Sequence, residues 1–212
     1  NRDGFKRNIH DITNTPFRTK FETDILKYRG ASGIGVISDH EDQPLLIASR
    51  HGSYAIVTVG RVNNVQKLAK AALNCNGMHF SEFKRNEYNQ TEVVASLINQ
   101  QETLVEGLRW VQEQVEGSCS VLLLTDRGIY ASRDRLGRTP VAVGRKEGST
   151  AVTLETCALP NLGFEPEREL GPAEIVRITA EGVERLSPPG ERMQICSFLW
   201  IYYGYPASEY EG

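Results

Sequence analysis

Four cysteines and four histidines are the first residues to test for nucleophilic or metal chemistry in this chain of 212 residues, and their spacing supports neither. Cys75, Cys119, Cys157 and Cys196 stand singly, with no C-x-x-C pair. That pattern fits reduced, buried thiols rather than a disulfide framework or a zinc cluster. The histidines lack metal-type spacing, and no cofactor or metal is expected. The charged residues say more. Residues 133–140, RDRLGRTP, place Arg133 beside Asp134, with Asp134 opening and Gly137 closing a four-residue turn. The two side chains are expected to pair and buttress that turn, a structural task rather than a catalytic one.

A frame of strands must position these residues. Residues 128–133 read as one strand and 141–144 as its return, which makes 133–140 the tip of a hairpin. Pro140 sits at the start of the returning strand, where a missing N–H does little harm. Short β-branched runs at 34–37, 45–48, 54–59, 120–125, 150–154, 174–178 and 195–203 extend the pattern, and Gly182 supplies the turn between Ile178 and Val183. Helices interrupt it. Val65, Leu68, Ala69 and Ala72 form one stripe, with Asn63 or Asn64 as N-cap. Val93, Val94, Leu97 and Ile98 form a second. Leu104, Leu108, Val111 and Val115 form a third, closed by Gly117. Helices with one apolar face need a sheet to cover, so the class is α+β. The polar run 82–89 reads as a loop, and 17–28 as a single apolar-bearing approach to the first strand.

Bulk properties exclude several functions. With 40% hydrophobic and 24% charged residues and a net charge of -3, the chain has neither a membrane composition nor the basic face that nucleic acid requires. No apolar run nears the ~20 residues that span a bilayer, and no signal-peptide pattern is present. Together with single thiols this implies a cytoplasmic protein. One domain is the expectation.

The series RDRLGRTP at 133–140, LETCAL at 154–159 and GPAEI at 171–175 resembles the RDPxGxRPL, SExxAL and PGE motifs of the type 2 glutamine amidotransferases. Gly33-Ile34-Gly35 with Gln43-Pro44 is similar to the family's GIGHxRYxTxG…QP region, 54–64 to the strand ending in HNGxxxN, and 89–92 to SDSE. Residues 196–208, CSFLWIYYGYPAS, resemble CxFEYVYFARPDS and point to the amidophosphoribosyltransferase branch, which begins purine synthesis. The resemblance implies an N-terminal nucleophile hydrolase fold, a four-layer αββα sandwich of two antiparallel sheets. It also implies that 1–212 is a single glutaminase-type domain, preceded by residues upstream of Asn1, followed by a phosphoribosyltransferase domain, and part of a homo-oligomer. Residues 1–32 look too short to supply both strands that precede the GIG region in the family.

The family's chemistry needs a first-residue Cys whose α-amino group is the base. It needs an Asn side chain and a Gly N–H for the oxyanion, an Arg for the substrate carboxylate and an Asp for its ammonium group. By the resemblance, those pocket positions fall on Ser38 (Arg), Val59 and Gly60 (Asn-Gly), and Gln90 (Asp), with Glu92 retained. Cys75, the nearest thiol to the start, is expected inside a helix. Ser38 cannot grip a carboxylate as a guanidinium does, Val59 has no donor and Gln90 has no charge, so the implied pocket is vestigial and no catalytic residue is assigned. Gly33, Gly35, Gly60, Gly137 and Gly171 are expected at turns or close packing. Trp200, Tyr202, Tyr203 and Tyr205 are expected in the core or at an interdomain contact. Two other readings stand beside this one. In the first, the pocket is rearranged and active, with Arg29, Arg50 or Arg61 as the guanidinium and Glu92 as the carboxylate. In the second, the domain is a non-enzymatic interaction module.

Overall fold

The computed structural model describes residues 4–74, 79–81, 83–84 and 87–212. In chain order the elements are α1 (Phe17–Ile25), β1 (Leu45–Ser49), β2 (Gly52–Val62), α2 (Val65–Leu73), β3 (Phe83–Lys84), β4 (Glu87–Tyr88), α3 (Gln90–Asn99) and α4 (Leu104–Gln114). They continue with β5 (Gly117–Thr125), β6 (Gly128–Ser132), β7 (Ala142–Lys146), β8 (Ser149–Thr153), α5 (Ala158–Asn161), β9 (Glu165–Glu169), β10 (Ile175–Ile178) and β11 (Val183–Ser187), and a π-helical turn follows at Leu199–Tyr203. A six-stranded sheet runs β1-β2-β5-β6-β10-β11 and a three-stranded sheet runs β8-β7-β9. All of their pairings are antiparallel. The fold is therefore α+β, with two antiparallel sheets and helices outside them.

The period-2 alternation of β2 explains how the layers form. Tyr54, Ile56 and Val62 point to one face, where Leu68 and Ala69 of α2, Val93, Val94, Leu97 and Ile98 of α3, and Leu108 and Val111 of α4 close the main core. Each large side chain fully buried there contributes roughly 1.5–3 kcal/mol. α4 starts on a capping box, in which the Thr103 and Glu106 side chains each bond the other's backbone N–H. A second core lies between the sheets, where Ala131, Val176 and Ile178 meet Val141, Val143 and Leu170. The inter-sheet space is thus packed over β6 and β10.

Several expectations need correction. Residues 133–140 are not a hairpin tip. β6 already has β5 and β10 as neighbours, so the chain crosses from the six-stranded sheet to β7 of the other. The run 34–37 forms no strand, and Ile37 is 68% exposed; β propensity needs a partner ladder to be realised. Residues 195–203 form no strand and instead lead into the π-helical turn at 199–203, with Trp200, Tyr202 and Tyr205 exposed. Part of the expected loop at 82–89 is the small β3–β4 hairpin. Residues 17–25 are helical, not a plain approach. Val115 is the C-cap of α4, while Gly117 opens β5. Asn64 precedes α2 but spends its side chain on Gln114 O and Glu116 N–H rather than on the helix. Gly33 and Gly35 face open space. Cys75 lies outside the described residues.

Candidate functional site

Away from the packed end, the same sheet face is open. Ala55, Val57 and Val59 of β2 and Ser118, Ser120, Leu122 and Leu124 of β5 line a cleft of 3010 Å³. Its opposite wall includes Val152 and Thr153 of β8 and much of the segment 4–37. Ser38, Val59, Gly60, Gln90 and Arg61 also line it, whereas Glu92 does not.

Of the pocket positions that the resemblance implies, Gln90 bonds Gly60 directly and Ser38 is reached through Glu41. Gln90 donates from Nε2 to the Gly60 carbonyl at 3.2 Å, and its Oε1 accepts from Val62 N–H at 3.2 Å. Its backbone N–H donates to the Glu41 carboxylate. Thr91 donates to the same carboxylate from N–H (3.2 Å) and Oγ1 (3.0 Å). The Glu41 N–H in turn donates to Ser38 Oγ at 3.2 Å. Burial pushes the Glu41 carboxyl above its usual range, against the pull of the α3 amides and the Thr91 hydroxyl. Glu92 turns elsewhere and accepts from the N–H and Oγ of Ser81, each at 2.8 Å. Its own N–H is capped by Asn89.

Gly60 is fixed by backbone geometry. Its φ is +119°, and a Cβ would overlap the Ser118 carbonyl across the β2–β5 ladder. Only glycine lets β2 lie this close to β5 at the cleft edge.

The turn at 134–139 forms the other side of the site. Asp134 is buried and accepts from Leu136 N–H (3.1 Å) and Thr139 N–H (2.8 Å), while its own N–H donates to Ser120 Oγ at 3.1 Å. Arg133, also buried, donates to the carbonyls of Thr139 (3.0 Å), Gly137 (2.6 Å) and Leu170, and to the Glu211 carboxylate. The two residues therefore do not pair with each other as expected. Asp134 is held by the backbone of the crossing, and Arg133 by that backbone together with Leu170 and Glu211, which suits a scaffold.

Among the described residues, no three His, Cys, Asp or Glu side chains stand close enough to hold a metal ion, and no helix is long and apolar enough to cross a membrane. Cys119 points into the helical core, and burial, with Asp134 and Glu41 nearby, pushes its thiol up to about 12. Such a thiol is not a nucleophile at neutral pH.

The profile of the glutamine amidotransferase domain matches residues 31–161, well over half of the chain. The chain belongs to the glutamine amidotransferase domain family. Among its relatives, the amidophosphoribosyltransferase of Bacillus subtilis is 31% identical over 192 residues, covering 88% of this chain and 38% of that protein. The enzyme of Archaeoglobus fulgidus is 26% identical over 217 residues, covering 91% and 48%. This chain thus spans less than half the length of these relatives. The solved phosphoribosylpyrophosphate amidotransferase of B. subtilis, complexed with ADP and GMP, superposes with a TM-score of 0.68 at 28% identity, over 79% of this chain and 36% of that one.

Family membership sharpens the reading of the site. The structure brings Ser38, Gly60 and Gln90 together, with Val59 beside them on the cleft and Glu92 apart. Sequence reading missed Glu41, which ties Ser38 to Gln90. Glu41 lies 49 residues from Gln90 in a charged stretch with no periodic signal. Its one trace was the neighbouring Gln43-Pro44, noted for resemblance alone. Of the alternative arginines, Arg29 and Arg61 both line the cleft and Arg50 does not. Arg29 bonds the carbonyls of Leu26 and Tyr28, Arg50 bonds that of Gln101, and Arg61 is exposed.

Proposed function

We propose that this is the glutaminase-type domain of an amidophosphoribosyltransferase homologue of purine nucleotide synthesis that does not hydrolyse glutamine. It serves its phosphoribosyltransferase partner domain as a structural or regulatory platform, within a cytoplasmic homo-oligomer. One observation carries the reading: Gln90, at the position where the family places an acidic group, spends its side chain on Gly60 and Val62 and its N–H on Glu41. A neutral amide engaged this way offers no charge to a substrate ammonium group, and Ser38 offers none to a carboxylate. The rearranged active pocket draws less support, since Arg61 lines the cleft while Glu92 bonds Ser81 outside it.

The test is glutamate release from glutamine by the full-length protein, run beside phosphoribosylamine formation from ammonia. No release above background is expected. Glutamine hydrolysis that disappears when a cysteine upstream of Asn1 is replaced would sink the proposal.

A further inference from the structure

The wall formed by residues 4–37 is joined to the sheets through residues 38–43. Among the described residues, the hydrogen bonds of 4–37 stay inside that stretch. Asn8 and His10 bond Asp24 at 2.5 and 2.7 Å, and Arg29 bonds its own neighbours. Phe17, Ile25, Leu26 and Ile37 remain exposed. Anchorage begins at Glu41 and Gln43.

Glu41 and Gln43 differ in kind, with Asp42, itself engaged, between them. Gln43 is buried, accepts from Thr58 N–H at 2.8 Å and donates to Thr58 O at 3.3 Å. The β1–β2 ladder begins at Leu45 opposite Ile56, so the Gln43 side-chain amide continues it by imitating a peptide group. Without it, buried backbone groups of β2 would go unpaired, which is costly. Glu41 instead holds first-turn N–H groups of α3, which water can also satisfy. Glu41 is only half-buried, so water can take its place on α3, whereas nothing replaces the buried Gln43; Glu41 is therefore the releasable one. The anchors share one network, because Thr58 Oγ1 lies 2.6 Å from Thr91 Oγ1.

We propose that residues 38–43 form a fastened strap, with Gln43 the fixed pin and Glu41 the releasable clasp, and that releasing the clasp swings the 4–37 wall away from β2 and β5 to open the cleft. This goes beyond the proposed function and is independent of it, since no step involves glutamine.

The test uses Leu122→Cys, which puts a thiol on the cleft floor, with maleimide modification followed peptide by peptide by mass spectrometry. Hydrogen exchange at Gln90 and Thr91 is measured on the same protein. Adding Glu41→Ala is expected to speed modification at position 122 about tenfold, the equivalent of one charge-assisted hydrogen bond. Both α3 amides should lose protection while β5 keeps its own. An unchanged rate at 122 with both amides deprotected would make Glu41 a helix cap only and overturn the strap. If Glu41→Ala also strips protection from β5, Glu41→Gln, which removes the charge and keeps the size, decides: faster modification at 122 with β5 still protected supports the strap, and an unchanged rate overturns it.

Discussion

The guanidinium of buried Arg133 meets the carboxylate of Glu211, an exposed residue, across 78 residues of sequence. Arg133 is 1% exposed, and its other N–H groups end on backbone carbonyls of the sheet crossing. The chain beside Glu211 is held as firmly. Ser208 and Tyr210 each donate a hydroxyl to Glu155 at 2.7 Å, and Thr156 exchanges two hydrogen bonds with the Glu209 backbone. Two of the motifs that mark the family thus dock the segment 208–211. Leaving a buried charge unpaired is costly. Glu211→Gln is expected to lower unfolding free energy by about 1–3 kcal/mol, and Arg133→Met by about 3–5 kcal/mol. Urea midpoints at constant m-value measure both, and equal small effects would show that the pair is not the anchor.

Gly60 and Gly35 should respond very unequally to alanine. At Gly60 a positive φ and the Ser118 carbonyl both oppose a side chain, so Gly60→Ala is expected to cost roughly 2–4 kcal/mol. Gly35 faces open space, and Gly35→Ala should stay within about 0.5 kcal/mol of wild type. Thermal unfolding of the two variants side by side checks this, and comparable losses would contradict the packing of β2 on β5.

Glu41 gives stability a pH dependence of defined sign. Its carboxyl is raised in the folded protein, chiefly by burial, with the α3 amides, the Thr91 hydroxyl and His40 acting in the other direction and the Cys119 thiol of β5 nearby. A raised acid favours the folded state when protonated, so its contribution is full below the unfolded value near 4.5 and is lost as pH rises through the folded value. The stability of wild type relative to Glu41→Gln should therefore fall as pH rises above about 4.5. A rise in stability there would mean that α3 holds the carboxylate more strongly than burial penalises it.

Cys119 should be inert in the folded protein. With its thiol pushed up to about 12 and its side chain in the helical core, iodoacetamide at about pH 8 is expected to modify Cys157 and Cys196, both partly exposed, well before Cys119. Mass spectrometry of native and urea-unfolded protein separates the rates. Early modification of Cys119 would mean that the core over β5 opens locally.

The elements easiest to read from the sequence were those whose own residues specify them. The stripes of α2, α3 and α4 and the alternation in β2 and β5 carry their burial in their spacing. Asp134 and Gly137 specify a turn, yet nothing local says whether the next strand returns beside β6 or crosses to the other sheet. That choice belongs to Arg133, whose acceptors come from Gly137, Thr139 and Leu170. The site was legible in the same partial way. Ser38, Gly60 and Gln90 were placed by resemblance alone, and the contacts that link them, Gln90 to Gly60 and Glu41 to both Ser38 and Gln90, carry no sequence signal. Glu41 was invisible because its acceptor geometry exists only once α3 is folded against β2.

The half-packed space between the sheets has a mechanical consequence. Where Ala131, Val176 and Ile178 meet Val141, Val143 and Leu170, the sheets are glued by interlocked side chains and stitched by the chain itself at 133–141. That end behaves as the spine of a book. Shear between the covers would tear the backbone bonds of Arg133 and Asp134 together, so the stiff direction is sliding and the compliant one is a small change of dihedral angle about the spine. The free margin of the larger sheet, farthest from that axis, lies along β1, where a slight rotation gives the largest displacement.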